Sequence, residues 1–425
     1  MNDLSMGLIL FVLTYVLMIS LPRYRAHVAI TSAALFVVLG LLPVSKVFKA
    51  IDFNVLMMIA GTMGTVALFI ESKMPALLAD YIIDKAPNVK WVVLALSLFS
   101  GIISAFVDNV ATVLMVAPVA VQISKKLNIS PVKSVIAISI ASNLQGAATL
   151  VGDTTSILLG GHADMNFMDF FVYQGKPGLF WIVQLSMMAA TMILYIAFRK
   201  DNQKVYLEEY TIVEDFVPTF LLLGTILSLI VASFLPNMPS LINGYLCMGF
   251  LLLGLVIQSV RYSFSDTLKT ITAELDFFTL FLLAGLFVVI AGVSEVGAID
   301  EIAKLFVKFG GTNVFVLYTL LTFASVILSA FIDNIPYVAT MLPVVSGIAA
   351  QLGLDPTVLY FGLLSGATLG GNLTPIGASA NIAAIGILRK ENYEVKPWTF
   401  MKISIPYTLA AVLTGYVLIW LLFGV

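Results

Sequence analysis

The sequence predicts an all-α polytopic membrane protein of about ten transmembrane helices plus two re-entrant helical hairpins, arranged as two inverted-topology repeats with broken helices. Three observations predict it. Of the 425 residues, 60% are hydrophobic and 11% charged, whereas a soluble domain carries about 25% charged residues, so most of this chain must sit in a solvent other than water. Apolar runs near the roughly 20 residues that a helix needs to cross a bilayer recur along its whole length. A stretch centred on an Asp-Asn pair occurs twice, once in each half.

Charge and cysteine content exclude several classes. A net charge of -2 offers nothing to nucleic acid. The single cysteine, Cys247, excludes a disulfide framework within the chain and any Cys-rich metal site. The first apolar run has no basic leader and no small-residue cleavage site, so it is read as a first span.

The continuous spans are expected at 4–21, 28–45, 53–71, 179–198, 216–236, 241–260, 277–295 and 406–425. Two apolar stretches, about 132–160 and 357–388, are interrupted by Gly and Pro and are expected to be broken helices. Two more, about 91–124 and 313–350, carry Asp-Asn at or beyond their middle and are expected to enter and leave on one side. With that choice, 17 of the 22 basic residues fall on one side of the membrane, as the positive-inside rule asks of the cytoplasmic face. Both termini then lie outside. The first repeat is expected over 1–200, a cytoplasmic linker over 201–215 and the second repeat over 216–425.

Self-similarity supports the duplication. Ser104–Val119 (SAFVDNVATVLMVAPV) and Ser329–Val344 (SAFIDNIPYVATMLPV) are identical at eight of sixteen positions. The same offset superposes Gly146, Thr149, Gly152 and Ile157 on Gly371, Thr374, Gly377 and Ile382. One residue of slippage upstream, Asp52, Ala60, Gly61 and Glu71 match Asp276, Ala284, Gly285 and Glu295. Five spans per half is an odd number, so the halves insert in opposite directions. Inverted repeats with discontinuous helices mark secondary transporters, because broken helices are costly in lipid unless they line a cavity.

The chemistry concentrates at the hairpin tips and the breaks. Asp108 and Asp333 each stand in a long uncharged run, where a carboxylate costs about 2.5–3.5 kcal/mol on insertion scales. Asp108-Asn109 and Asp333-Asn334 each precede a helical apolar run, which is an N-cap signal, and Pro336 suits a first turn. Capping alone is the plainer reading; a half-helix start facing a solute is the functional one. In the first break stand Asn143, Gly146, Thr149, Gly152, Asp153, Thr154, Thr155 and Ser156. In the second stand Thr368, Gly370, Gly371, Asn372, Thr374, Pro375, Gly377, Ser379 and Asn381. Freed carbonyls with short hydroxyls suit Na+ or a hydroxylated solute. Close helix packing explains the glycines equally well but leaves Asn143, Asn372 and Asp153 unexplained. Asp153 aligns with Ala378, so one half carries an extra acid. Asp108, Asp153 and Asp333 are therefore the candidates for proton or cation coupling. Glu71 and Glu295 are read as interfacial, His27 and His162 as loop residues with no role, the methionines as packing, and Cys247 as a buried inert thiol. No resident metal or cofactor is expected.

At these motifs, together with ATLVGDTTSILLGG followed by FMDFF and with LGGNLTPIGASANI, the chain resembles the ion transporter superfamily. The resemblance is strongest to its arsenite permease and sodium/proton antiporter branch, which includes relatives of the melanosomal P protein. It spans nearly the whole chain. It departs at Leu144-Gln145, where relatives often have Ile-Gly, and at Thr154-Thr155-Ser156, where they often have Pro-Pro-Asn. The resemblance implies a scaffold part and an elevator-like transport part holding both hairpins and both broken helices. It implies a bacterial or archaeal plasma membrane and transport of arsenite or antimonite, of Na+ against H+, or of silicic acid. Distant members carry citrate or dicarboxylates with Na+. The leading expectation is a proton-coupled (or Na+-coupled) antiporter exporting a small inorganic solute, arsenite or antimonite first. A Na+/H+ antiporter and Na+-coupled dicarboxylate or citrate uptake are the alternatives, and a channel is the other class. Membrane lipids, a homodimeric partner and a cytoplasmic ATPase are partners compatible with this reading.

Overall fold

The computed structural model describes residues 2–205 and 210–424. The apolar runs begin where an Asx side chain closes the first turn. Asp52 accepts from Val55 N–H at 3.0 Å, and its counterpart Asp276 from Thr279 N–H at 3.0 Å. Asn88 accepts from Trp91 N–H at 3.3 Å, and Asn313 from Phe315 N–H at 2.9 Å. Each cap supplies a partner to an N–H that the helix itself leaves unpaired.

The first half runs α1 (Asp3–Ser20), α2 (Arg25–Val38), α3 (Val44–Ala50), α4 (Phe53–Glu71), α5 (Met74–Lys85), α6 (Val89–Ser104), α7 (Asn109–Lys126), α8 (Val132–Gln145), α9 (Thr154–His162) and α10 (Leu179–Ala197). The second runs α11 (Val217–Phe234), α12 (Ile242–Arg261), α13 (Phe264–Glu274), α14 (Phe277–Glu295), α15 (Ala298–Gly310), α16 (Val314–Ser329), α17 (Asn334–Leu352), α18 (Thr357–Gly370), α19 (Ser379–Lys390) and α20 (Pro397–Phe423). The second series repeats the first element by element. Among the described residues the only strands are Val172–Tyr173 and Lys176–Pro177, paired as a short hairpin.

Among the described residues eight helices are long and apolar enough to cross a membrane: α1, α4, α10, α11, α12, α14, α17 and α20. The expected span 28–45 is corrected. It is the 14-residue α2, ended by Gly40 at φ 76° with Leu41 N–H returned to Phe36 C=O at 2.9 Å, and followed after Pro43 by α3. A glycine C-cap stops the helix although its neighbours are apolar. The last span is longer than expected, 27 residues with Pro406 inside it. His27 and His162 lie in α2 and at the end of α9, not in loops.

The two halves interlock through glycine contacts. Gly61 lies against the Cys247 backbone and Gly64 against Leu251, so α4 and α12 run in the same direction. Gly285 lies against Ala29 and Gly292 against Phe36, so α14 runs with α2. Without a Cβ the backbones can approach closely, which supplies the packing that lipid does not drive. Successive spans alternate in direction, so a second span lying parallel to the other half's third span is the arrangement of an inverted repeat. Around this four-helix body, α6 and α7 form one hairpin and α16 and α17 the other, packed against α8 and α18. α18 is buried on every side, as its all-round apolar sequence requires.

Candidate functional site

Each hairpin tip is four residues long, Ala105–Asp108 and Ala330–Asp333, and ends in the aspartate that caps the outgoing arm. Asp108 accepts from the N–H groups of Val110 at 2.9 Å and Ala111 at 3.2 Å. Asp333 accepts from Ile335 N–H at 3.1 Å. The half-helix starts at α7 and α17 are thus already occupied by their own carboxylates. The starts of α9 and α19 have no side-chain cap.

The breaks are stitched to the tips. Thr149 and Thr374, at matched positions, donate to the carbonyls of Ala105 and Ala330. Gly152 and Gly377 sit against backbone oxygens of both the tip and the break, Gly371 sits against Gly377 C=O within the break, and Gly146 sits against the Asp153 side chain. The two broken helices are stitched to each other. Asn143 donates to Thr368 C=O at 2.7 Å and accepts from Asn109 at 3.0 Å; Asn372 donates to Ile140 C=O at 2.8 Å. Asn381 accepts from Ser139 at 2.6 Å and donates toward Gly371 C=O and Thr374 C=O at 3.2 Å. These residues hold the crossing rather than face open space. Asn143→Ala is expected to cost about 1–3 kcal/mol, because it leaves buried groups on Asn109 and Thr368 unpaired; thermal unfolding in detergent checks this.

A cavity of about 130 Å³ opens beside the crossing. Asp108, Asn109, Asp153, Thr154, Asn334 and Ser379 line it, together with Met63 and Val66 of α4, Glu274 at the end of α13, and Asp276 and Thr279 at the start of α14. Asp153 is 4% exposed; it accepts from Thr155 Oγ1 at 2.8 Å and from Asn334 Nδ2 at 3.2 Å. Asn334 of the second half therefore reaches the acid that only the first half carries. Among the described residues no Lys or Arg lines the cavity. Asp333 does not join it: its carboxylate pairs with Arg25 at 3.1 Å. Glu274, Asp276 and Arg25 were not singled out from the sequence as site residues. Asp276 stood out only as a repeat match, and Arg25 counted only as one more basic residue.

The CitMHS family model, described as citrate transporter, matches residues 15–366 and, in an overlapping second match, 267–424. The chain belongs to the CitMHS family. This CitMHS protein is an integral membrane transporter, not an enzyme. It is 30% identical over 97% of both chains to proteins described as uncharacterized transporters in Mycobacterium bovis and Mycobacterium tuberculosis. It is 24% identical to the human P protein, over 91% of this chain and 56% of that protein. Its fold is similar to the YdaH transporter of Alcanivorax borkumensis, with a TM-score of 0.59 at 15% identity over 96% of this chain and 98% of that one. It is equally similar to MtrF of Neisseria gonorrhoeae, with a TM-score of 0.59 at 15% identity over 100% and 95%.

Proposed function

We propose that this transporter is a secondary active antiporter that exchanges protons at Asp108 and Asp153 against a small cation or a small neutral hydroxylated solute such as arsenite. The observation that carries this reading is that both carboxyls line one small cavity with hydroxyl and amide neighbours and, among the described residues, no cationic side chain. Such a lining repels an anion and offers oxygen ligands to Na+ or to a trihydroxide. The acids Glu274 and Asp276 in the same lining add to the field that attracts a cation. Motion of the hairpins and broken helices against the α2–α4–α12–α14 body would alternate access, with both termini outside a bacterial plasma membrane.

A second reading has its own observation. The starts of α9 and α19, at Thr154 and Ser379, carry no side-chain cap and meet the cavity, so they could take a carboxylate while a cation sits on the aspartates. The description of the family model favours a carboxylate such as citrate. One experiment separates the two. Proteoliposomes containing a pH-sensitive dye receive arsenite, antimonite, Na+, Li+ or citrate across an imposed proton gradient. Proton release triggered by a cation or metalloid, and lost in Asp108→Asn, is the expected result. Proton or Na+ movement with citrate alone would replace antiport by carboxylate symport, and no response to any of the five would overturn proton antiport for this panel.

A further inference from the structure

Asp108 and Asp333 are twins in sequence, yet only Asp333 has a basic partner among the described residues. Arg25, at the first turn of α2, donates to Asp333 Oδ2 at 3.1 Å and to Met18 C=O at 3.2 Å, and each side chain of the ion pair is 19% exposed. One helix away, Tyr15 of α1 donates to Pro336 C=O at 2.8 Å and hydrogen-bonds the Thr340 hydroxyl. Two residues, Tyr15 on α1 and Arg25 on α2, thus grip the cap and the first two turns of α17. The next residue along that turn, Asn334, donates to Asp153 in the cavity.

We propose that Arg25, with Tyr15, is a latch: a positioning residue that fastens the tip of the second hairpin to α1 and α2 and holds the transporter in the state in which this cavity is accessible. The first hairpin has no such fastening at Asp108, which leaves that carboxylate to the cavity. Any displacement of the second hairpin along α1 and α2 has to break the ion pair and both Tyr15 contacts together. Because Asp333, Asn334 and Ile335 are consecutive, releasing Arg25 also loosens the amide that reaches Asp153.

The inference rests on the reading that the hairpins move against the scaffold, but its test needs no transported solute. Met63→Cys, in a Cys247→Ser background, places one thiol in the cavity wall, and its labelling rate with a water-soluble maleimide reads accessibility. Arg25→Gln and Asp333→Asn are each expected to lower that rate about fivefold, the kind of shift that loss of one part-buried ion pair gives a two-state equilibrium. The double variant is expected to fall no further, and Arg25→Lys to restore part of the rate. Unchanged labelling in both single variants would overturn the latch. So would additive losses accompanied by a lowered melting temperature and no rescue by Lys, which would make Arg25 a structural residue only. A flux assay that fails while the labelling responds would instead count against the antiport reading.

Discussion

Asp153→Asn is expected to abolish proton movement coupled to solute while leaving the protein folded. The substitution keeps the shape and keeps an oxygen for Thr155 Oγ1 and Asn334 Nδ2, which lie at 2.8 and 3.2 Å from the carboxylate. The cost to stability is therefore small, about 1 kcal/mol, the difference between hydrogen bonds to a charged and to a neutral acceptor. What disappears is the site where a proton or cation can be exchanged, and a neutral amide cannot take over that exchange at any pH. Gradient-driven dye quenching in proteoliposomes measures the flux, and thermal unfolding in detergent measures the fold. Retained coupling with a normal pH profile would remove Asp153 from the coupling site and leave Asp108 alone.

Gly377→Ala is expected to be strongly destabilising. A Cβ there would lie 2.6 Å from Gly371 O, 2.7 Å from Ser329 O and 2.8 Å from Ala330 O. All three are backbone atoms, so no side chain can turn aside, and the hairpin tip must part from the broken helix. Overpacking of this kind costs about 3 kcal/mol at its upper end. Gly152→Ala, with Gly146 O at 2.7 Å and Ala105 O at 2.9 Å, is expected to behave alike. Gly386→Ala is the control: nothing lies within 4 Å of its Cβ, and it sits in α19, where alanine favours the helix by up to about 1 kcal/mol. Melting temperatures of the three variants decide the matter, and a neutral Gly377→Ala would mean that the tip and the break are not held as closely as described.

Much of the fold was legible because the relevant signals are local. The caps at Asp108 and Asp333 show in an Asp-Asn before an apolar run, and the breaks after Gln145 and Gly370 show in clustered Gly, Thr and Asn. The end of α2 was misread because a long apolar run masked the glycine C-cap at Gly40. The start of α20 lies earlier than expected because Lys402 and Pro406 read as a boundary, although a proline is tolerated inside a long packed helix.

The sequence by itself determined the two repeats, the broken helices, the capped tips and the odd acid Asp153, because periodicity, caps and self-similarity are properties of neighbouring residues. Only the tertiary structure decided which of these residues share a cavity. Asn143, Asn372 and Asn381 turn inward to hold the crossing, whereas Asn334 crosses over to Asp153. Glu274 and Asp276 join the cavity from the α13–α14 junction, and Arg25 finds Asp333 across 308 residues of chain. An exact two-fold would have given Asp108 and Asp333 the same surroundings. The surroundings differ because each tip meets a different helix of the opposite half, and that meeting depends on packing between segments far apart in the chain, for which a local pattern carries no signal.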